Sequence, residues 1–475
     1  MNDWYRVPGI YSKFLLQGIM CILMPVIILL VIYYNGDGIF LFISGFLCLS
    51  LVIINVKTHY DLLGELDFFS PGVAFPAAYI SIIGIALASF SMEIGYSYNA
   101  EVTSKDIFYY LVGLLCYAWG NIFASSLYTR KSKFLYKGVV NTWSKRELLK
   151  WGSVIVVVGS IGTFIYYSKM GVPLFGNVDE IRHGFQGRLY GIGFSFPLLQ
   201  GLNFVLLVYL IYRYSKKLFA VRMLVPILWI LLLTALTGYR WLCILFIAVP
   251  LTGYNYIVGR FKFNLKTVGA IVILAIIILS FHGLLGYQRS ITKRTESEHL
   301  RNLESMNIPS EFKYFAPVLF SLQHPSVSFS KLINLVPDEY DYFYGKYALA
   351  QVPIIQRIFP SLSQENVGVY ITDTIFGYDY RAGSGGTAMS IIGSLYIDFG
   401  PLAIIVGMAI IGFFLEITYL RAAETPSLLN ITVYSFLLWT VIKWIVAGVC
   451  VGDLLVLLMI LAIDKLIRKK KSSVY

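Results

Sequence analysis

The sequence predicts an all-α polytopic membrane protein with about 12 transmembrane helices and one large extracytoplasmic loop. Three observations predict it. The 475 residues are 57% hydrophobic and only 13% charged, about half the charge of an ordinary soluble domain. Apolar runs of about 18 residues or more, long enough to span a bilayer, recur along the chain. Basic residues are concentrated in alternate connecting segments. A soluble enzyme, a secreted disulfide scaffold and a disordered regulator are excluded.

Taken in order, the apolar runs place spans at about 15–34, 38–55, 71–91, 107–128, 151–169, 194–213, 223–238, 241–258, 267–286, 387–414, 428–447 and 452–467. The first lacks a small-residue cleavage site and reads as a retained helix. Spans seven and eight are joined by Tyr239 and Arg240, and the last two meet at a tight Ala447-Gly448 turn. The chain then divides into a nine-span membrane domain (1–286, with an outer loop at 169–193), a cap loop (287–386), and three spans with a basic tail (387–475). Five cysteines, Cys21, Cys48, Cys116, Cys243 and Cys450, lie in or beside apolar runs without metal-ligand spacing; they read as small buried hydrophobes.

Charge sets the orientation. Arg130 to Lys150, Arg213 to Arg222, Arg260 to Lys266 and the Lys465–Lys471 tail all fall on one side of a twelve-span chain, which puts both termini in the cytoplasm. The net charge of +12 is thereby mostly topological, and nucleic acid is not called for. On the opposite face the cap loop carries Tyr314, Phe315, Phe320, Tyr340, Tyr342, Phe343, Tyr344, Tyr347 and Phe359. That is too aromatic for disorder. Pro325–Leu335 and Tyr347–Ile358 are expected to form short amphipathic helices at the interface.

The outer face also collects arginines at one depth: Arg240 after Thr237-Gly238-Tyr239, Arg289 and Arg294 behind span nine, Arg381 before a Gly-Ser-Gly-Gly turn, and Arg182 in the shorter loop. Each singly also fits a side chain snorkelling to the interface. Together they suggest a shared anion, since the planar guanidinium fork suits phosphate oxygens. His324 lies within the cap and is either structural or a base; Glu365, Asp373 and Asp379 are further candidates for a general base. Lys443 and Asp453 flank the final turn and read as a structural ion pair. Glu65-Leu66-Asp67 is the acidic pair closest to metal spacing but falls on the cytoplasmic side, and no nucleotide loop is present. No metal and no cofactor are expected.

Several stretches resemble the bacterial O-antigen polymerases, the Wzy family of oligosaccharide repeat-unit polymerases. Gly171-Val172-Pro173-Leu174-Phe175, with ten residues between Arg182 and Gly193, resembles an outer arginine–glycine loop. Thr237-Gly238-Tyr239-Arg240 is similar to the family's small-residue turn before an arginine. Tyr344-Gly345-Lys346-Tyr347 through Pro353, Arg357 and Phe359-Pro360 looks like its aromatic–proline–arginine stretch, and Thr387–Gly400 resembles the span after the cap. Arg381 and Gly393 depart from the spacing by one residue.

The resemblance implies a GT-C-type membrane glycosyltransferase of the bacterial inner membrane. It would transfer a glycan from undecaprenyl diphosphate to the terminal sugar of a second lipid-linked repeat unit. Arg240 and Arg289 would clamp the diphosphate with Arg182, Arg294 and Arg381, His324 or Asp373 would take the acceptor proton, and cap aromatics would stack on sugar. A Wzz-like chain-length-regulating co-polymerase is the expected protein partner. Two alternatives stand beside it: an O-antigen ligase-type transferase with the same donor, and a flippase or transporter without chemistry. Reporter fusions are expected to place residues 287–386 outside the cell, with alkaline phosphatase active there; phosphatase silent at every fusion point in that segment would overturn the orientation.

Overall fold

A computed structural model of the chain describes residues 67–91, 104–127, 145–172, 221–236, 240–258, 316–350 and 389–449, with parts of 50–57, 205–210 and 453–462 and the single residues 280, 283 and 308. These residues are helical, with no strand among them. The elements are α1 (Pro71–Ser91), α2 (Ser104–Leu127), α3 (Lys145–Met170), α4 (Val221–Leu236), α5 (Arg240–Val258), α6 (Ala316–Leu335), α7 (Lys346–Ala350), α8 (Ile391–Glu424) and α9 (Leu428–Ala447). The expected spans at 15–34, 38–55, 194–213 and 267–286 lie wholly or largely outside the described residues, as does half of 452–467.

Among the described residues, three helices are long and apolar enough to cross a bilayer: Lys105–Leu127, Ile391–Glu424 and Leu428–Ala447. Large apolar side chains face outward on α3, α4 and α8; Leu402, Val406, Ile410 and Phe414 form one exposed stripe at four-residue spacing. In water such a surface would aggregate. In lipid it is the expected outer face.

A few buried polar contacts fix the relative directions of the described helices. Tyr256 near the end of α5 and Tyr419 near the end of α8 both donate to Asp67 Oδ2, at 2.8 and 2.9 Å, while Asp67 precedes α1. Tyr434, early in α9, donates to the carbonyl of Phe69. Ser125 at the end of α2 donates to Glu416 at 2.7 Å. Thus α2, α5 and α8 end where α1 and α9 begin. In α3 and α4, Ser160 meets Trp229 and Tyr167 meets Leu233, so these two run in parallel.

One expected span needs correction. A single straight helix from Ile391 to Glu424 would be about 51 Å long, well beyond a hydrocarbon core of about 30 Å. Instead Phe399 (φ −146°, ψ 21°) and Gly400 (φ 66°, ψ −150°) leave the helical region, just ahead of Pro401. The short arm, 391–398, then folds back on the long arm, 401–424. The side chain of Leu395 packs so closely on Gly407 that a Cβ there would lie 2.7 Å from it, whereas residues twelve apart in a straight helix are about 18 Å apart. The long arm alone, about 36 Å, makes the crossing.

The long arm and α2 approach backbone to backbone. A Cβ on Gly120 would stand 2.0 Å from the Ala409 carbonyl oxygen, and one on Gly412 2.1 Å from that of Tyr117. Cys116, Gly120 and Ala124 are small, buried and one turn apart on α2, the small-residue spacing that lets membrane helices close. Cys116 is buried and forms no disulfide, as expected of a packing residue.

The cap helix also differs from expectation. It begins at Ala316, runs through Pro325, and buries Gln323, Ser326, Phe329, Leu332 and Ile333. It packs against α1, α2, α8 and α9 and does not merely lie on the interface. Small serines between the apolar positions allow this close approach. α7 covers the start of the second expected cap helix; residues 351–358 lie outside the described residues.

Gly120→Val is expected to cost at least about 3 kcal/mol, above the usual overpacking range, because backbone must move. A lowered melting temperature of the detergent-purified protein checks this, with Gly84→Ala, where nothing lies within 4 Å, unchanged.

Candidate active site beneath the cap

The cap segment 316–350 is held at the end of the bundle opposite Asp67, and the fold-back in α8 holds it there. In a continuous helix the Ile397 carbonyl would accept from residue 401, but Pro401 has no N–H to give. Phe343 N donates to that carbonyl at 2.9 Å, and Tyr344 N donates to the Asp398 carbonyl at 2.8 Å. The Asp398 side chain accepts from Tyr347 N at 3.0 Å and Ala348 N at 3.2 Å, capping α7. Tyr342 lays its hydroxyl over Gly400, where a Cβ would meet it at 2.6 Å.

Below this junction lies a buried polar layer. Tyr110 Oη lies 3.4 Å from Ser326 Oγ and 3.5 Å from Ser390 Oγ. Ser390 caps the short arm by accepting from Gly393 N at 3.1 Å. Gln323 donates to Ser89 at 2.5 Å. The end of α9 closes the layer: Gly448 turns at φ 79°, and Val449 N donates to Ser394 Oγ at 3.1 Å. These contacts join α1, α2, α6, α8 and α9 in one buried polar layer.

Of the residues singled out in the sequence, Arg240 is the first residue of α5, at the same end of the bundle as the cap. His324 lies on α6, half-buried and stacked on Phe320 with ring centroids 5.1 Å apart. Burial, then the Lys331 charge, push its imidazole pKa down to about 4, so the ring is neutral at pH 7. Lys443 and Asp453 form the expected ion pair, with Trp444 Nε1 donating to the same carboxylate at 2.9 Å. Arg182, Arg289, Arg294, Arg381 and Asp373 lie outside the described residues, as do Glu365 and Asp379.

Two carboxylates were missed in the sequence. Asp398 stands in an apolar run just before Gly400-Pro401; an acid beside a helix breaker was the available signal. Glu416 is fully buried on the long arm, and its partner Ser125 is 291 positions away, which no local pattern reveals.

Asp398→Ala removes the acceptor of two amide N–H bonds, a loss of roughly 3 kcal/mol in local stability. Hydrogen exchange in 341–350 is expected to speed up about a hundredfold, while exchange in α2 stays unchanged. An unaltered exchange rate in that segment would show that the cap is held elsewhere.

No curated relative and no solved structure matches the chain. The model of the family O-antigen polysaccharide polymerase Wzy matches residues 194–471, more than half of the chain, covering α4 to α9 and therefore the cap, the fold-back and Arg240 together. The chain belongs to the Wzy family of O-antigen polysaccharide polymerases, membrane enzymes of polysaccharide biosynthesis.

Proposed function

We propose that the chain joins undecaprenyl-diphosphate-linked oligosaccharide repeat units into polysaccharide at the outer face of the bacterial inner membrane, with the cap end outward and both termini cytoplasmic. The observation that carries the reading is the place of Arg240. It opens α5 at the cap end, where a helix N-terminus offers free N–H groups and a partial positive charge. A cation there is unfavourable unless an anion is shared between them.

In this reading the terminal sugar hydroxyl of the acceptor attacks the anomeric carbon of the donor glycan. The bond to the diphosphate oxygen breaks, and negative charge grows on that oxygen. Arg240 and Arg289, with Arg182, Arg294 and Arg381 beside them, stabilise that charge more in the transition state than in the ground state. His324 or Asp373 takes the hydroxyl proton. His324 is already neutral at pH 7 and free of the charge that would block this role, though its low basicity makes the transfer late.

The membrane segments 1–286 and 387–475 carry the lipid-facing part of the site, and 287–386 the glycan-facing part, all in a GT-C-type arrangement. A Wzz-like co-polymerase would set chain length by binding the same outer face.

Losing one guanidinium from a dry site costs about 3 kcal/mol, roughly a hundredfold in rate. Arg240→Ala is therefore expected to abolish polymer in cells at unchanged protein level, and Lys131→Ala to leave it intact. Purified protein with lipid-linked repeat unit alone should make a ladder of products, which an O-antigen ligase would not. Intact chain length in Arg240→Ala would remove this residue from the clamp, and rescue by Arg240→Lys would indicate charge without a bidentate grip.

A further inference from the structure

Tyr344 combines two costs. It is 65% exposed, and at φ 49° it has the described residues' one positive φ outside glycine. A bulky side chain in the left-handed region is disfavoured, and glycine would hold this backbone more easily. The conformation is imposed by the tip of the α8 fold-back, which takes the N–H of both Phe343 and Tyr344. An aromatic ring held on strained backbone and left in the open is a candidate binding position.

Its neighbours define the ligand. The Tyr344 ring stands edge-on to Phe399 at 6.3 Å and to Tyr342 at 6.4 Å, and Phe399 is itself 51% exposed. Among the described residues of segment 336–349, Asp338, Glu339 and Asp341 are exposed, with Lys346 the exposed cation beside them. Three carboxylates repel phosphate and anionic lipid headgroups. They accept hydrogen bonds from neutral hydroxyls, while ring faces take the C–H faces of a pyranose.

We propose that Tyr344, Phe399 and Tyr342 form a stacking platform for the glycan of an incoming repeat unit, with the neighbouring carboxylates receiving its hydroxyls. The platform rests on the reading above, because its ligand is that reaction's saccharide. Its place at the Pro401 break also ties glycan occupancy to the junction between cap and membrane helices.

The test uses the full chain in nanodiscs and the repeat-unit oligosaccharide freed from its lipid diphosphate by mild acid. Saturation-transfer NMR and titration read binding, and a melting curve reads stability. Tyr344→Gly relieves the backbone, so its melting temperature should hold or rise while oligosaccharide affinity falls about tenfold. Tyr344→Phe should keep the affinity.

Unchanged affinity in Tyr344→Gly overturns the platform; it is also the result expected if the ring only anchors the protein in the lipid interface. Wild-type protein that binds the sugar but makes no polymer from the lipid-linked unit would sink the polymerase reading and leave the platform standing. Wild-type protein that polymerises while Tyr344→Gly binds normally would do the reverse.

Discussion

The carbonyl of Ile397 has no helical partner because residue 401 is a proline, and much of the cap's arrangement follows from that vacancy. In a low-dielectric surrounding an unpaired backbone group costs several kcal/mol. The chain answers with Phe343 N, and the adjacent Asp398 answers twice more, through its carbonyl and its carboxylate. A helix break that would be costly alone becomes the docking point of a segment some fifty residues earlier. Break and cap satisfy each other, so neither is stable in this form without its partner.

That junction stands on a rigid base. The glycine contacts between α2 and the long arm of α8 leave no room for a methyl group, and close packing of this kind transmits displacement with little give. At the far end, Asp67 collects Tyr256, Tyr419 and the amide of Phe69. One carboxylate there ties α1 to α5 and α8. Hydroxyl donors spare the site a buried countercharge, whose desolvation would add cost.

The proposed function rests on where these constraints meet. A transferase working on a lipid-linked donor needs its leaving group near the bilayer edge and its glycan above it. The fold-back in α8 and the α5 N-terminus lie at the same end of the bundle, with the aromatic group of Tyr342, Tyr344 and Phe399 beside the fold-back, and the proposed transfer is assigned to that end. Arg240 and the cap are thus brought to a common level by helices whose directions are locked at the opposite end.

Helix identity was legible from composition because a bilayer demands long apolar runs. Seven of the described helices coincide with or overlap expected spans for this reason, and the Lys443–Asp453 pair was readable from two charges flanking a short turn. The Leu395–Gly407 fold-back, the burial of α6 and the roles of Asp398 and Glu416 were not. Each depends on a partner far away in sequence: Phe343 for Ile397, Tyr347 for Asp398, Ser125 for Glu416. Apolar periodicity records how a segment meets lipid, whereas the pairing of a buried polar group is set by whichever neighbour arrives beside it, and only the folded chain decides that.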